Sequence, residues 1–120
     1  MSATKSIGDR GEAAAQRFLQ SKGYRVVSTQ WKCKEGEIDI VALQGELWVF
    51  VEVKTRRGGQ SGDALAAITA SKRQRLISAA YEYIARHGLD DPEWRVDAVA
   101  VTIKADGSEQ IVHVEDALDW

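Results

Sequence analysis

The chain of 120 residues is 44% hydrophobic and carries a formal net charge of −2, a composition typical of one globular domain that spans residues 1–120. Its apolar runs are broken by charges well short of the ~20 residues that a membrane-spanning helix needs, and its first residues lack the apolar region of a signal peptide. A single cysteine, Cys33, excludes an internal disulfide, so we expect a cytoplasmic protein that has no membrane partner.

The charge is unevenly distributed along the chain. Residues 1–34 hold seven Lys and Arg against two acidic residues, and residues 54–75 hold six against one. Residues 90–120 reverse this balance, with two basic and nine acidic residues. Such a distribution suits a protein that presents one basic face to nucleic acid, and it suits an ordinary mixed surface equally well.

The spacing of apolar residues predicts a first helix over residues 6–22. The capping-box spacing between Asp9 and Glu12 suggests that Ser6 or Asp9 caps this helix, and Gly23 is expected to end it. The residues expected on the buried stripe are Ala14, Ala15, Phe18 and Leu19.

Three apolar strands are predicted next, over residues 24–31, 36–43 and 47–55. Isoleucine, valine and aromatic residues supply the strand signal. Burial of an unpaired charge costs free energy, so we expect the charges inside these strands to serve chemistry. The charged residues in the second and third strands are Glu37, Asp39, Glu52 and Lys54.

The hairpin between the second and third strands fixes which charges meet. A two-residue loop formed by residues 44–45 would place Asp39 opposite Phe50 and make it a diagonal neighbour of Glu52, at roughly 7–8 Å between Cα atoms. Because side chains alternate with period two, Asp39, Glu52 and Lys54 would then project from one face. Two carboxylates in this arrangement can share one hard divalent cation.

The remaining pattern predicts a long helix over residues 63–87 and two further strands, Trp94–Ile103 and Glu109–Val114. The glycine-rich stretch 56–62 predicts either a loop that contacts phosphates through its arginines or a plain solvated loop. The resulting order, αβββαββ, predicts an α/β fold with a mixed central sheet flanked by the two helices.

The charged motifs resemble those of a known superfamily. Asp39, followed on the next strand by Glu52-Val53-Lys54, resembles the PD-(D/E)XK nucleases. The ordered set of GDRGEAAAQRFL, GEIDIVA, FVEVKTR, Lys72 and RVDAVAV is similar to the YraN-like family of small bacterial proteins, which is related by fold to archaeal Holliday-junction resolvases. The resemblance covers residues 7–114 and implies a restriction-endonuclease-like core.

This resemblance implies a metal-dependent endonuclease that hydrolyses phosphodiester bonds of DNA, including branched or repair intermediates, and leaves a 5′-phosphate. Asp39, Glu52 and the Val53 carbonyl would hold Mg²⁺ or Mn²⁺. Lys54 would orient a water or offset developing negative charge, and Glu12 would complete the acidic cluster. The alternative interpretation of Glu12 is a carboxylate favoured by the helix N-terminus.

The nucleic acid is expected to contact Arg56, Arg57, Lys72 and Arg75, although a solvated helix charge is the alternative for Lys72. Asp97 interrupts the fourth strand, and we expect it to support the structure rather than bind the metal directly. A homodimer is plausible only by analogy with the resolvases. A catalytically inactive nucleic-acid-binding module and a protein-interaction domain are the other functions left open.

Overall fold

In the computed structural model of the chain, residues 3–58 and 68–117 are described, with side chains from Ile7 onward. No helix in this part of the chain is long and apolar enough to cross a membrane. The element order is αβββαββ, which confirms the predicted order. The described elements are α1 (Ala3–Ser21), β1 (Arg25–Lys32), β2 (Glu37–Gln44), β3 (Leu47–Arg57), α2 (Ala70–Arg86), β4 (Trp94–Ile103) and β5 (Glu109–Val114).

The strands form one mixed sheet in the order β1-β2-β3-β4-β5. Strands β3 and β4 are parallel, and the other neighbouring strands are antiparallel. A parallel pair needs a crossover connection, and α2 lies in the connection between β3 and β4. Strands β1 and β5 form the two edges of the sheet.

The two helices pack on opposite faces of the sheet. In β3, Val49 and Val51 belong to the apolar core under α1, whereas Phe50 belongs to the core under α2, as the alternation of a strand requires. The predicted mixed sheet flanked by helices is therefore confirmed. The buried helix residues are Ala14, Ala15 and Leu19 in α1 and Leu76, Ala79, Ala80 and Tyr83 in α2.

Helix α1 begins earlier than predicted. It contains Ala3, so Ser6 and Asp9 lie within the helix and the predicted cap at either residue is wrong. The residues before Ser6 do not stop the helix, because alanine and lysine are strong helix formers. At the other end the prediction is confirmed: Gly23 has a φ of +90°, and its N–H donates to the Gln20 carbonyl at 3.1 Å.

The hairpin between β2 and β3 differs from the prediction by one residue. Gln44 pairs with Leu47, so the loop is Gly45 and Glu46, and Asp39 is not opposite Phe50. Gly45 has a φ of +62°. A type II′ turn requires glycine at the first of its two central positions, and this requirement moves the loop one residue along the chain.

Helix α2 begins later than predicted. Its N-cap is Thr69, whose Oγ1 accepts a hydrogen bond from the Lys72 N–H at 3.2 Å. Residues 59–67, which include the start of the predicted helix and most of the glycine-rich stretch, lie outside the described residues. Arg56 and Arg57 belong to the end of β3, so the prediction that placed them in a loop is wrong.

One end of the sheet is acidic. The β2–β3 turn and the segment before β4 border a cavity of about 520 Å³. None of its four acidic side chains forms an ion pair with the described residues. These side chains, called the acidic end below, are Glu46, Asp90, Asp91 and Glu93.

Candidate active site

Three polar residues lie side by side on neighbouring strands: Gln30 on β1, Asp39 on β2 and Glu52 on β3. The ladder pairs on either side of Gln30 place it opposite Asp39. The regular ladder between β2 and β3 ends one residue from Asp39, and its continuation places Asp39 opposite Glu52. The two carboxylates are thus direct neighbours rather than the diagonal neighbours expected from the sequence.

The Asp39 carboxylate lies where β2 and β3 separate. Its Oδ2 accepts a hydrogen bond from the main-chain N–H of Val53 at 2.8 Å. The carboxylate therefore takes a place that a main-chain carbonyl would hold in a regular ladder, and this charge-assisted bond fixes its position. Val53 thus helps to build the site through its N–H, whereas the sequence pointed to its carbonyl.

Asp39 and Glu52 share a hydrogen bond, and the pKa of each is raised. Burial is the main cause for both carboxyl groups. For Glu52, burial and the neighbouring charge of Asp39 raise the pKa to about 8, against a partial opposing effect from the charge of Lys72. Two carboxyl groups in hydrogen-bond contact cannot both ionise easily, because their negative charges repel each other. Near neutral pH the pair therefore holds one proton between them.

On the α2 side, this carboxylate pair faces a cavity of about 480 Å³, which we call the basic cavity. Two of the cations that border it, Lys72 and Arg75, come from the first two turns of α2, and Lys32 comes from the end of β1. Their side chains are exposed, whereas the carboxylates are half-buried. The exposed Glu37 also borders the cavity, so an entering anion would meet three cations and one acidic side chain before the half-buried pair.

On the α1 side, Asp39 also borders a second cavity of about 370 Å³, which we call the α1 cavity. Its lining includes Glu12, Gln30 and Lys54. Burial raises the pKa of Glu12, and a hydrogen bond from Gln30 partly opposes this effect. The charge of Lys54 lowers the pKa of Asp39, so the lysine lies close enough to stabilise that carboxylate.

A glycine allows α1 to come close enough for this arrangement. A Cβ atom at Gly11 would overlap the side chain of Thr55 on β3. Because Gly11 has no side chain, the helix backbone lies against the strand, and the next residue, Glu12, reaches the neighbourhood of Asp39.

Comparison with known proteins identifies the family of this chain. Residues 11–101 match the uncharacterised protein family UPF0102. The chain belongs to this family. The matched UPF0102 segment contains all the residues named above that border the carboxylate pair on both of its sides. This match confirms the family resemblance drawn from the sequence, while membership of the nuclease superfamily stays a prediction.

The UPF0102 relatives match nearly end to end. A UPF0102 protein of Roseiflexus castenholzii is 44% identical over 115 residues, covering 94% of this chain and 93% of the relative. A UPF0102 protein of Symbiobacterium thermophilum is 43% identical over 104 residues, covering 87% of this chain and 88% of the relative. A UPF0102 protein of Kineococcus radiotolerans is 42% identical over 113 residues, covering 93% of each chain. The names of these relatives state no activity.

Most of the site residues predicted for this UPF0102 chain lie around Asp39. The two arginines at the end of β3, Arg56 and Arg57, border neither the basic cavity nor the α1 cavity. Sequence reasoning did not assign roles at this site to Lys32 or Gln30; the cross-strand positions of both residues would have revealed them. The predicted residues that do border these cavities are Glu12, Asp39, Glu52, Val53, Lys54, Lys72 and Arg75.

A metal ion at this site would need ligands beyond the carboxylates. Within residues 3–58 and 68–117, no group of three or more His, Cys, Asp or Glu is arranged to hold a metal ion. Mg²⁺ commonly binds one or two carboxylates and completes its shell with waters and substrate phosphates. The paired oxygens of Asp39 and Glu52, which compete for one proton, fit that mode of binding.

Asp97 lies apart from the carboxylate pair, in a separate buried network. Arg95 donates two hydrogen bonds to it, at 2.7 and 2.9 Å. The His113 ring and the Asp116 N–H also contact its oxygens, at 2.7 and 3.0 Å. These partners lower the pKa of Asp97 although the side chain is fully buried. Asp97 therefore stabilises the fold as an ion.

The raised pKa of Glu52 predicts that stability falls as the pH rises. An unfolded glutamate ionises near pH 4.5, whereas folded Glu52 holds its proton until about pH 8, so the folded state binds more protons between these values. We expect the Tm to decline from pH 5 to pH 8 and the Glu52→Gln variant to decline less. Thermal melts followed by tryptophan fluorescence test this expectation, which equal declines of the two proteins would contradict.

Proposed function

We propose that this protein is a metal-dependent endonuclease with a restriction-endonuclease-like core, and that it hydrolyses phosphodiester bonds of DNA, including branched or repair intermediates. One observation carries the proposal. The half-buried carboxylate pair of Asp39 and Glu52, with raised pKa values, lies at the back of a cavity whose entrance carries three cations. A structural ion pair has no need of two adjacent carboxyl groups that share one proton, whereas a divalent cation commonly binds one or two carboxylates.

The proposed metal is Mg²⁺ or Mn²⁺, held by Asp39 and Glu52, with the Val53 carbonyl as a further oxygen ligand. When bound, such an ion supplies a more acidic water and stabilises charge on the scissile phosphate. The metal would also replace the proton that the two carboxylates share, which removes the electrostatic cost of ionising both groups. The hydrogen bond from the Val53 N–H holds the Asp39 carboxylate in place before any ligand arrives.

Lys54 and Glu12 lie on the α1 side of Asp39, where they are proposed to act on the attacking water. Lys54 is proposed to orient the attacking water or to offset the negative charge that develops on the phosphate. Glu12, whose pKa is raised by burial, is proposed to accept a proton from that water. Both side chains border the α1 cavity, which is large enough to admit water.

The charges favour one path for the nucleic acid. The basic cavity presents three cations, Lys32, Lys72 and Arg75, against the exposed Glu37, whereas the α1 cavity presents Asp9 and Glu12 against Lys54. A phosphate backbone is attracted to the first group and repelled by the second. We therefore place the scissile strand on the α2 side of the carboxylate pair, so that the attacking water approaches from the α1 side.

Calorimetric titration with Mg²⁺ and with Mn²⁺ tests the metal site. We expect saturable binding to the wild type and none to the Asp39→Asn/Glu52→Gln variant, because both proposed carboxylate ligands are then neutral. Asp90→Asn/Asp91→Asn is the matched control, since it replaces the same number of carboxyl groups at the acidic end and should bind the metal normally. Equal binding by all three proteins would contradict the proposed site.

A cleavage assay on branched, nicked and single-stranded DNA then separates the candidate functions. A nuclease yields metal-dependent products. A catalytically inactive binding module yields none, yet its DNA affinity falls steeply with added salt because bound counterions are released. A protein-interaction domain yields no products and binds DNA without this steep salt dependence.

A further inference from the structure

Gln30 has an unusual backbone conformation for its place in the molecule. It lies inside strand β1 with a φ of +51°, in the left-handed region that side chains other than glycine, asparagine and aspartate seldom adopt. The pairs on either side of it keep a common register with β2, and the register shift of this ladder lies earlier, between Val26 and Ser28, so the left-handed conformation at Gln30 is a local feature. An unfavourable conformation of this kind, next to a cluster of functional groups, requires a compensating interaction.

The compensating interaction is a hydrogen bond to helix α1. The Gln30 Nε2 donates to Oε2 of Glu12 at 3.3 Å, which joins an edge strand to a helix across 18 positions of sequence. Both side chains border the α1 cavity together with Asp39. Gln30 also lies directly opposite Asp39 on the neighbouring strand. Its side chain therefore contacts α1 next to the carboxylate pair.

Glu12 needs such a partner because its surroundings repel it. Burial raises the pKa of Glu12 most, the charges of Asp39, Glu37 and Asp9 raise it further, and the Gln30 hydrogen bond opposes them. A glutamate side chain on a helix has three rotatable bonds and can turn toward solvent to escape like charges. A lysine at position 30 would hold Glu12 but would also cancel its charge, whereas an amide holds the carboxylate and leaves the charge available.

We propose that Gln30 is a positioning residue that holds the Glu12 carboxylate toward Asp39. The proposal rests on the proposed nuclease function, in which Glu12 accepts a proton from the attacking water. It also assigns a purpose to the left-handed backbone, which lets the amide of an edge-strand residue reach α1. Gln30 borders the α1 cavity and not the basic cavity, so its effect is confined to the water side of the reaction.

Kinetics of the Gln30→Gly variant test this role. Glycine adopts a positive φ readily, so the Tm should stay the same or rise while the amide is lost. We expect kcat to fall at least about tenfold with KM within about twofold, and no further fall when Gln30→Gly is combined with Glu12→Ala. An unchanged kcat, or full additivity with Glu12→Ala, would overturn the proposal.

A second measurement keeps the test independent of nuclease activity. In ¹⁵N-labelled protein, the side-chain amide signals of Gln30 should shift in Glu12→Ala and stay unchanged in Glu46→Ala, which alters the acidic end instead. If the Gln30 signals do not shift in Glu12→Ala, the positioning role is refuted whether or not the protein cleaves DNA. If they respond while the wild type cleaves no nucleic acid, the contact is supported and the proposed function alone fails.

Discussion

Replacement of Glu52 by glutamine is expected to abolish DNA cleavage while DNA binding stays within a few-fold of the wild type. Glutamine keeps the shape of the side chain but removes one metal-binding oxygen and the negative charge that Glu52 would carry once a metal ion took the place of its proton. Loss of a group that stabilises transition-state charge lowers kcat by roughly 10²–10³-fold, and loss of the metal itself lowers it further. Binding should persist because the cations of the basic cavity, Lys32, Lys72 and Arg75, are unchanged.

The same substitution should not damage the fold. Glu52 is held protonated near neutral pH, so a neutral amide replaces a neutral acid. We expect the Tm of Glu52→Gln at pH 8 to equal or exceed that of the wild type, because the variant has no carboxylate to ionise there. Glu82→Gln, on the exposed side of α2, is the matched control and should cleave normally. If cleavage, binding and Tm of Glu52→Gln all fall together, Glu52 is structural and the proposed site is wrong.

Replacement of Asp97 by alanine is expected to lower the free energy of unfolding by about 3–5 kcal/mol. Asp97 is fully buried and accepts four hydrogen bonds, two of them from Arg95. Its removal leaves the guanidinium of Arg95, which is 17% exposed, without this partner. A loss of this size is a large part of the 5–15 kcal/mol typical of a domain, and urea denaturation measures it directly.

Replacement of both Arg95 and Asp97 tests whether the unpaired Arg95 charge causes the loss of stability. Arg95→Met/Asp97→Leu removes both charges and should recover much of the stability lost in Asp97→Ala. The lowered pKa of Asp97 adds a pH signature: its contribution is present above pH 3.8, the unfolded value, and is lost as the pH falls through the lower folded value. A loss below about 1 kcal/mol in Asp97→Ala would contradict an essential role for the network.

The sequence predicted the fold well because local patterns determine its elements. Apolar residues at helical spacing indicated α1 and α2. The charges inside β2 and β3 indicated the site, because burial of an unpaired charge costs free energy. The predicted hairpin register was wrong because it placed Gly45 at the second central position of the turn, whereas the turn that forms has glycine at the first position, as type II′ requires. An error of one residue in the loop changed Asp39 and Glu52 from direct to diagonal neighbours in the prediction.

The parts that could not be predicted depend on contacts between residues distant in the chain. Gln30 reaches Glu12 through a backbone conformation that no propensity for glutamine favours. His113 meets Asp97 only because β5 folds back beside β4. The early start of α1 was missed because the capping-box spacing of Asp9 and Glu12 suggested a later start, although alanine and lysine before Ser6 favour a helix.

The acidic end has a consequence for how the protein meets other molecules. Glu46, Asp90, Asp91 and Glu93 lie at the opposite end of β2 and β3 from the basic cavity, and the molecule is 45 Å long. Two unlike groups of charge held apart by a rigid sheet form an electric dipole. Near a polyanion this dipole experiences a torque that turns the basic cavity toward the polyanion. Because salt screens fields beyond about 8 Å under physiological conditions, that rotation takes place in the last step of approach, and dilute buffer should lengthen its range.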